Sequence, residues 1–94
     1  MNQQPVKSFS LEQNIPNPFQ FTTMFRYSLP ERSNVLLEIF DTEGLTMDIL
    51  VKGEQEAGIW TIVWTVGEGF RPGTYFCRMT AGGQTIIRRL LVLR

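Results

Sequence analysis

Two carboxylate pairs at i, i+2 spacing, Asp41 with Glu43 and Glu54 with Glu56, are the side chains here whose type suits acid–base chemistry. Such catalysis needs one carboxyl kept protonated and another ionised beside a substrate, which requires a cleft that sets their environments apart. Both pairs fall in turn-rich segments, where carboxylates are ordinarily solvated charge. The chain has no histidine, no glycine-rich phosphate cradle and no nucleophile elbow with which to complete a site. A single cysteine, Cys77, precludes an internal disulfide, and without histidine a zinc site of ordinary type lacks ligands. Cys77 sits among alternating strand residues, so the expected reading is a small buried thiol rather than a reactive or intermolecular one. These residues point away from an enzyme and imply no metal and no other cofactor.

What remains is the chemistry of binding. Nine basic and nine acidic residues cancel, which argues against a partner chosen by bulk charge. The distribution is uneven: seven acids lie between Glu31 and Glu56, whereas five arginines (Arg71, Arg78, Arg88, Arg89, Arg94) and no acid follow Glu68. A dedicated nucleic-acid binder would be basic as a whole domain, so no nucleic-acid partner is expected. Trp60 and Trp64 share one face of an alternating segment, where core packing is expected over a carbohydrate platform.

The elements that must hold these residues are strands. Ninety-four residues make one domain, which buries roughly 60 to 65% of its unfolded surface. No run approaches the roughly 18 apolar residues of a membrane span. Turn signals recur at residues 16–18, 30–34, 42–44, 52–58, 67–73 and 82–83, the rhythm of an all-β, Ig-like antiparallel sandwich. Seven strands are expected near residues 9–13, 22–29, 34–41, 45–51, 58–66, 73–81 and 84–93. Within them, alternation sets Phe25, Tyr27 and Leu29 on one face, and Val35, Leu37 and Ile39 on one face. Trp60, Ile62 and Trp64 likewise share a face. Asp41 and Gly44 are expected to close a hairpin, Gly73 to supply a positive φ after Pro72, and Gly82-Gly83 to form a compact hairpin turn. Residues 1–8 read as a polar linker tail and 9–94 as the folded domain. That tail has no apolar core of a signal peptide; if the domain is exported, its export signal is expected upstream.

The run Leu11-Glu12-Gln13-Asn14-Ile15-Pro16-Asn17-Pro18-Phe19 is a rigid corner. Pro16 and Pro18 fix their own φ and push Ile15 and Asn17 out of the helical region. Asn14 and Asn17 are expected to bond nearby backbone, and Phe19 to peg the corner into a core. At the other end, Leu90-Leu91-Val92-Leu93 is apolar on both faces. Either one face fills the core while loops cover the other, or the strand is partly exposed and pairs with a receptor by strand addition.

Taken with Tyr27-Ser28-Leu29-Pro30, Ile39-Phe40-Asp41 followed by Gly44, Trp64, Gly73-Thr74-Tyr75-Phe76 and the basic-aliphatic end, this corner resembles the type A C-terminal sorting domain of the type IX secretion system. The resemblance runs from about Phe9 to Arg94 and departs from the family pattern at Ile15, at Gln20-Phe21 and at Thr65-Val66. It implies a non-enzymatic address label, covalently part of a larger cargo protein and not membrane-spanning. Such a label directs its cargo across the outer membrane of a Bacteroidetes-type bacterium. The implied partners are the outer-membrane translocon, its shuttle protein and a sortase, which cuts within or before residues 1–8. The implied location is the periplasm in transit, then the cell surface or the extracellular space. The expected recognition residues are Arg88, Arg89, Leu90, Leu91, Val92, Leu93 and Arg94. The expected architectural residues are Gln13, Asn14, Pro16, Asn17, Pro18, Phe19, Gly44, Trp64, Gly73 and Tyr75. A structural or adhesive Ig-like module, similar to the sandwich domain of flagellar hook-capping proteins, is the alternative.

Overall fold

Branched and aromatic residues alternating with polar ones become seven strands in a computed structural model that describes residues 6–93. They are β1 (Ser10–Leu11), β2 (Thr22–Leu29), β3 (Ser33–Phe40), β4 (Thr46–Gln55), β5 (Gly58–Thr65), β6 (Gly73–Ala81) and β7 (Gln84–Val92). One sheet has the order β1-β2-β5 and the other β4-β3-β6-β7, with every strand pair antiparallel. The chain changes sheets after β2, β4 and β5, which makes the Ig-like sandwich. Residues 1–5 of the expected tail, and Arg94, lie outside the described residues.

Two strands differ from the sequence expectation. β4 runs on to Gln55 instead of ending near residue 51, because its pairing with β3 continues to the Ser33–Gln55 pair through Gly53, whose φ of 147° no other residue adopts readily. What looked like a long turn shrinks to Glu56-Ala57, and that link crosses between sheets. β1 is only two residues long because the chain leaves the sheet to enter the proline corner.

The inward faces follow the alternation. Phe25, Tyr27 and Leu29 meet Val35, Leu37 and Ile39 in the core, with Cys77, Met79, Leu90 and Val92 from β6 and β7. Burial and the nearby Glu38 carboxylate push the Cys77 thiol up to about 12. Trp64 is buried at the centre of an aromatic cluster, edge-on to Phe19 at 5.9 Å and to Phe70 at 5.2 Å. Its indole N–H donates to Asp48 Oδ2 across the sandwich at 2.9 Å. Trp60 shares that face but is only half-buried, because β5 is an edge strand, and its N–H donates to the Glu56 carbonyl at 2.9 Å. Trp64 therefore offers no exposed ring face to a sugar, and the Trp60 N–H is already bonded.

Turn chemistry sets the register. Asp41 Oδ1 accepts the N–H groups of Glu43 and Leu45, both at 2.9 Å, while Gly44 takes a φ of 87°. Tyr75 O–H donates to the Arg71 carbonyl four residues upstream at 2.8 Å. With Cys77 two residues further on, this is the tyrosine corner found at the start of the sixth strand of Ig sandwiches. Gly82 and Gly83, at φ 57° and 75°, close the β6–β7 hairpin in two residues. A Cβ at Gly82 would meet the Phe9 ring at 2.1 Å, so glycine there serves both the turn and the seat of Phe9.

Replacing Trp64 by alanine removes an inter-sheet ring together with a partner for Asp48, at a cost of about 3–5 kcal/mol. A domain of this size has about 5–10 kcal/mol of stability, so Trp64→Ala should approach unfolding at 25 °C whereas Trp60→Ala costs clearly less. Urea unfolding of both variants checks this; equal losses would contradict the placement of the two rings.

Candidate functional site

β7 is an edge strand, and the proline corner lies along its outer edge. The corner is itself built around Asn14, which is fully buried with its polar atoms paired. Asn14 Nδ2 donates to the Pro16 carbonyl at 3.1 Å and to Thr23 Oγ1 at 3.0 Å. Thr23 Oγ1 donates in turn to Pro16 O at 2.8 Å, and Gln13 Nε2 donates to Asn14 Oδ1 at 2.7 Å. A fully satisfied buried network of this kind holds one backbone path and penalises others. The Ile15–Pro16 and Asn17–Pro18 peptide bonds are cis.

From this frame the corner reaches β7 at successive points. Gln13 Nε2 donates to the Arg89 carbonyl at 2.7 Å, and Asn17 Oδ1 accepts the Leu91 N–H at 2.9 Å. Phe19 then pairs as a short parallel strand, donating its N–H to Leu91 O at 3.1 Å and accepting the Leu93 N–H at 2.8 Å. Asn14 bonds nearby backbone as expected. Asn17 instead bonds a residue at the far end of the sequence.

The expected recognition residues therefore divide. Leu90 and Val92 are buried in the core, while Leu91 and Leu93 are 37% and 54% exposed on the opposite face. Of the two readings of the apolar run, the inward set fills the core and the outward set stays open. Strand addition along residues 89–93 is blocked, because the edge groups of Leu91 and Leu93 are already taken by the corner. Arg88 is a cross-link: its Nε donates to the Leu11 carbonyl of β1 at 2.7 Å, tying the edges of the two sheets. Arg89 lies exposed beside a shallow groove of about 370 Å³, lined also by Asn17, Pro18, Thr74, Leu90 and Leu91.

Sequence reasoning missed the middle of the same sheet face. Phe40 and Phe76 stack at 5.4 Å, and the Arg78 guanidinium lies over the Phe40 ring at 4.8 Å. Arg78 also pairs with the buried Glu38 at 3.0 Å. Adjacent strand alternations in β3 and β6 were the available signal, since both send an aromatic outward at the Phe40–Phe76 pair. The carboxylate pairs form no cleft. Asp41 is engaged in its turn, and Glu54 and Glu56 both pair with Arg32, at 3.3 and 3.2 Å. Among the described residues no group of three or more His, Cys, Asp or Glu could hold a metal ion, and no helix is long and apolar enough to cross a membrane.

Comparisons of this chain with protein-family profiles, with curated proteins and with solved structures find no match.

The division between Arg88 and Arg89 is measurable as stability. Arg88→Ala leaves the buried Leu11 carbonyl without its charged donor and should cost about 1.5–3 kcal/mol. Arg89→Ala should stay within about 0.5 kcal/mol of the parent. Denaturant unfolding of the two single variants decides; equal losses would remove the distinction.

Proposed function

We propose that this domain is a non-enzymatic secretion signal that directs a covalently attached cargo across the outer membrane through a type IX secretion system. The observation that carries the reading is the union of the two segments on which the family resemblance rests. The Gln-Asn-x-Pro-Asn-Pro-Phe corner and the final basic-aliphatic strand, more than seventy residues apart, form one continuous surface. A folded address label has to present its recognition residues in a fixed arrangement, and preorganisation of this kind lowers the entropy lost on binding. The recognising surface would be the outward face of β7, with Arg89, Leu91 and Leu93, together with Asn17 and Pro18 across the groove. The partners would be the translocon, its shuttle protein and the sortase of that system, with passage through the periplasm to the cell surface.

The reading is tested by fusing the domain behind a signal-peptide-bearing reporter in a host with type IX machinery. The parent domain should deliver the reporter outside the outer membrane. Arg89→Ala/Leu91→Ala, both exposed positions, should reduce delivery at least about tenfold while the isolated variant stays within about 1 kcal/mol of the parent. Failure of the parent to promote export in a compatible host would sink the proposal. Undiminished export by the stable double variant would remove these side chains from it.

A further inference from the structure

Among the described residues the sandwich has four edge strands, and three carry a device against pairing. β1 is two residues long. β7 carries the proline corner along residues 89–93 of its outer edge. β4 is broken by irregularities at two places in its register with β3 and carries Asp48, Lys52 and Glu54. Short strands, covering segments, bulges and charges are the devices by which sheet proteins prevent unwanted strand pairing.

β5 has none of them. It runs eight residues, Gly58-Ile59-Trp60-Thr61-Ile62-Val63-Trp64-Thr65, without a charge or proline, and pairs with β2 in an unbroken register from Leu29–Gly58 to Thr22–Thr65. The orientation of its backbone follows from one bond: Val66 N–H donates to Phe21 O at 2.8 Å, so the even-numbered residues are those bonded to β2. Alternation then turns the N–H and C=O groups of Ile59, Thr61 and Val63 to the open side. The side chains of Ile59 and Val63 are 58% and 63% exposed, and the inward-facing Trp60 and Ile62 next to them remain only half-buried.

We propose that β5 is a self-association edge that pairs antiparallel with β5 of a second copy of this chain, about a two-fold axis at Thr61. The occupant is identified by the strand's complementarity to itself. With Thr61 opposite Thr61, Ile59 meets Val63 on the outward side and Trp60 meets Ile62 on the inward side, while Trp64 stands against Gly58. Shifting the axis to Ile62 would set Ile59 against Thr65 and Thr61 against Val63, losing the apolar match on the outward side while keeping apolar pairs inward, Trp60 with Trp64 and Ile62 with Ile62. The Thr61 axis joins the open groups of Ile59, Thr61 and Val63 in six hydrogen bonds and merges two three-stranded sheets into one of six strands. Charge does not oppose the contact: β5 is uncharged, and the chain carries nine acidic and nine basic residues. The association is independent of the role proposed above.

Sedimentation velocity of the 94-residue chain across concentrations up to about 500 μM tests it, with Thr61→Lys and Thr61→Glu as the variants. Thr61 is exposed, so both changes leave the core alone, and circular dichroism verifies folding. The parent should show a concentration-dependent dimer. Each variant, placing like charges on the axis, should weaken it at least about tenfold, and an equimolar mixture of the two should restore a dimer. A parent that stays monomeric throughout, or a dimer indifferent to both variants, would overturn the proposal. Separate variants that weaken association but fail to recover on mixing would overturn the Thr61 axis.

Discussion

Four hydrogen bonds close the outer edge of β7 with the proline corner: Gln13 to Arg89, Leu91 to Asn17, and Phe19 with both Leu91 and Leu93. Neither partner could take this form alone. The corner has no strand ladder of its own to satisfy its backbone, and β7, with apolar residues on both faces, would present a sticky open edge without it. Joining them solves both problems and brings the beginning and end of the domain together. Because the Asn14 and Thr23 network fixes the path of the corner, it also fixes where Asn17 and Phe19 meet β7.

The same junction reaches the core. Phe19, delivered by the corner, packs under Trp64, and Trp64 donates across to Asp48 on β4. Arg88 bonds the Leu11 carbonyl at the other side of the sandwich, and Tyr27 O–H donates to Gln55 Oε1 near the crossover from β4 to β5. Each of these polar contacts links one sheet to the other near an edge. Apart from the buried Asn14 and Thr23, the interior is chiefly hydrocarbon and aromatic rings, with the buried thiol of Cys77 among them. Burial holds the Tyr27 hydroxyl above its ordinary value even though its bond to Gln55 pulls the other way. The arrangement leaves the outward side of β7 as a fixed display of Arg89, Leu91 and Leu93, and leaves β5 as the undefended edge.

Local pattern made most strands legible. Alternation in β2, β3 and β5 marks the inward face of each, and paired glycines or an Asp-to-Gly turn mark the hairpins that join consecutive strands. The end of β4 is not legible in the sequence because Gly53 and its charged neighbours resemble a turn, and only pairing with β3 reveals that they continue a strand. The candidate surface was legible as two segments and not as one. Asn17 contains nothing that distinguishes a local turn from a bond to Leu91, which lies 74 residues away. Arg88 and Arg89 look equivalent in sequence. Their roles separate because successive residues of a strand point to opposite faces, so one arginine meets Leu11 while the other meets solvent.

Amide hydrogen exchange at Leu91 probes the junction directly, because the acceptor of that N–H is the Asn17 side chain and no backbone group. In the parent domain the Leu91 amide should be protected at least about a hundredfold more than an amide open to water. In Asn17→Ala this protection should fall at Leu91, while the Tyr75 and Cys77 amides in the interior of the sheet keep theirs. Rapid exchange at Leu91 in the parent, or protection unchanged by Asn17→Ala, would contradict the account of a strand edge closed by the proline corner.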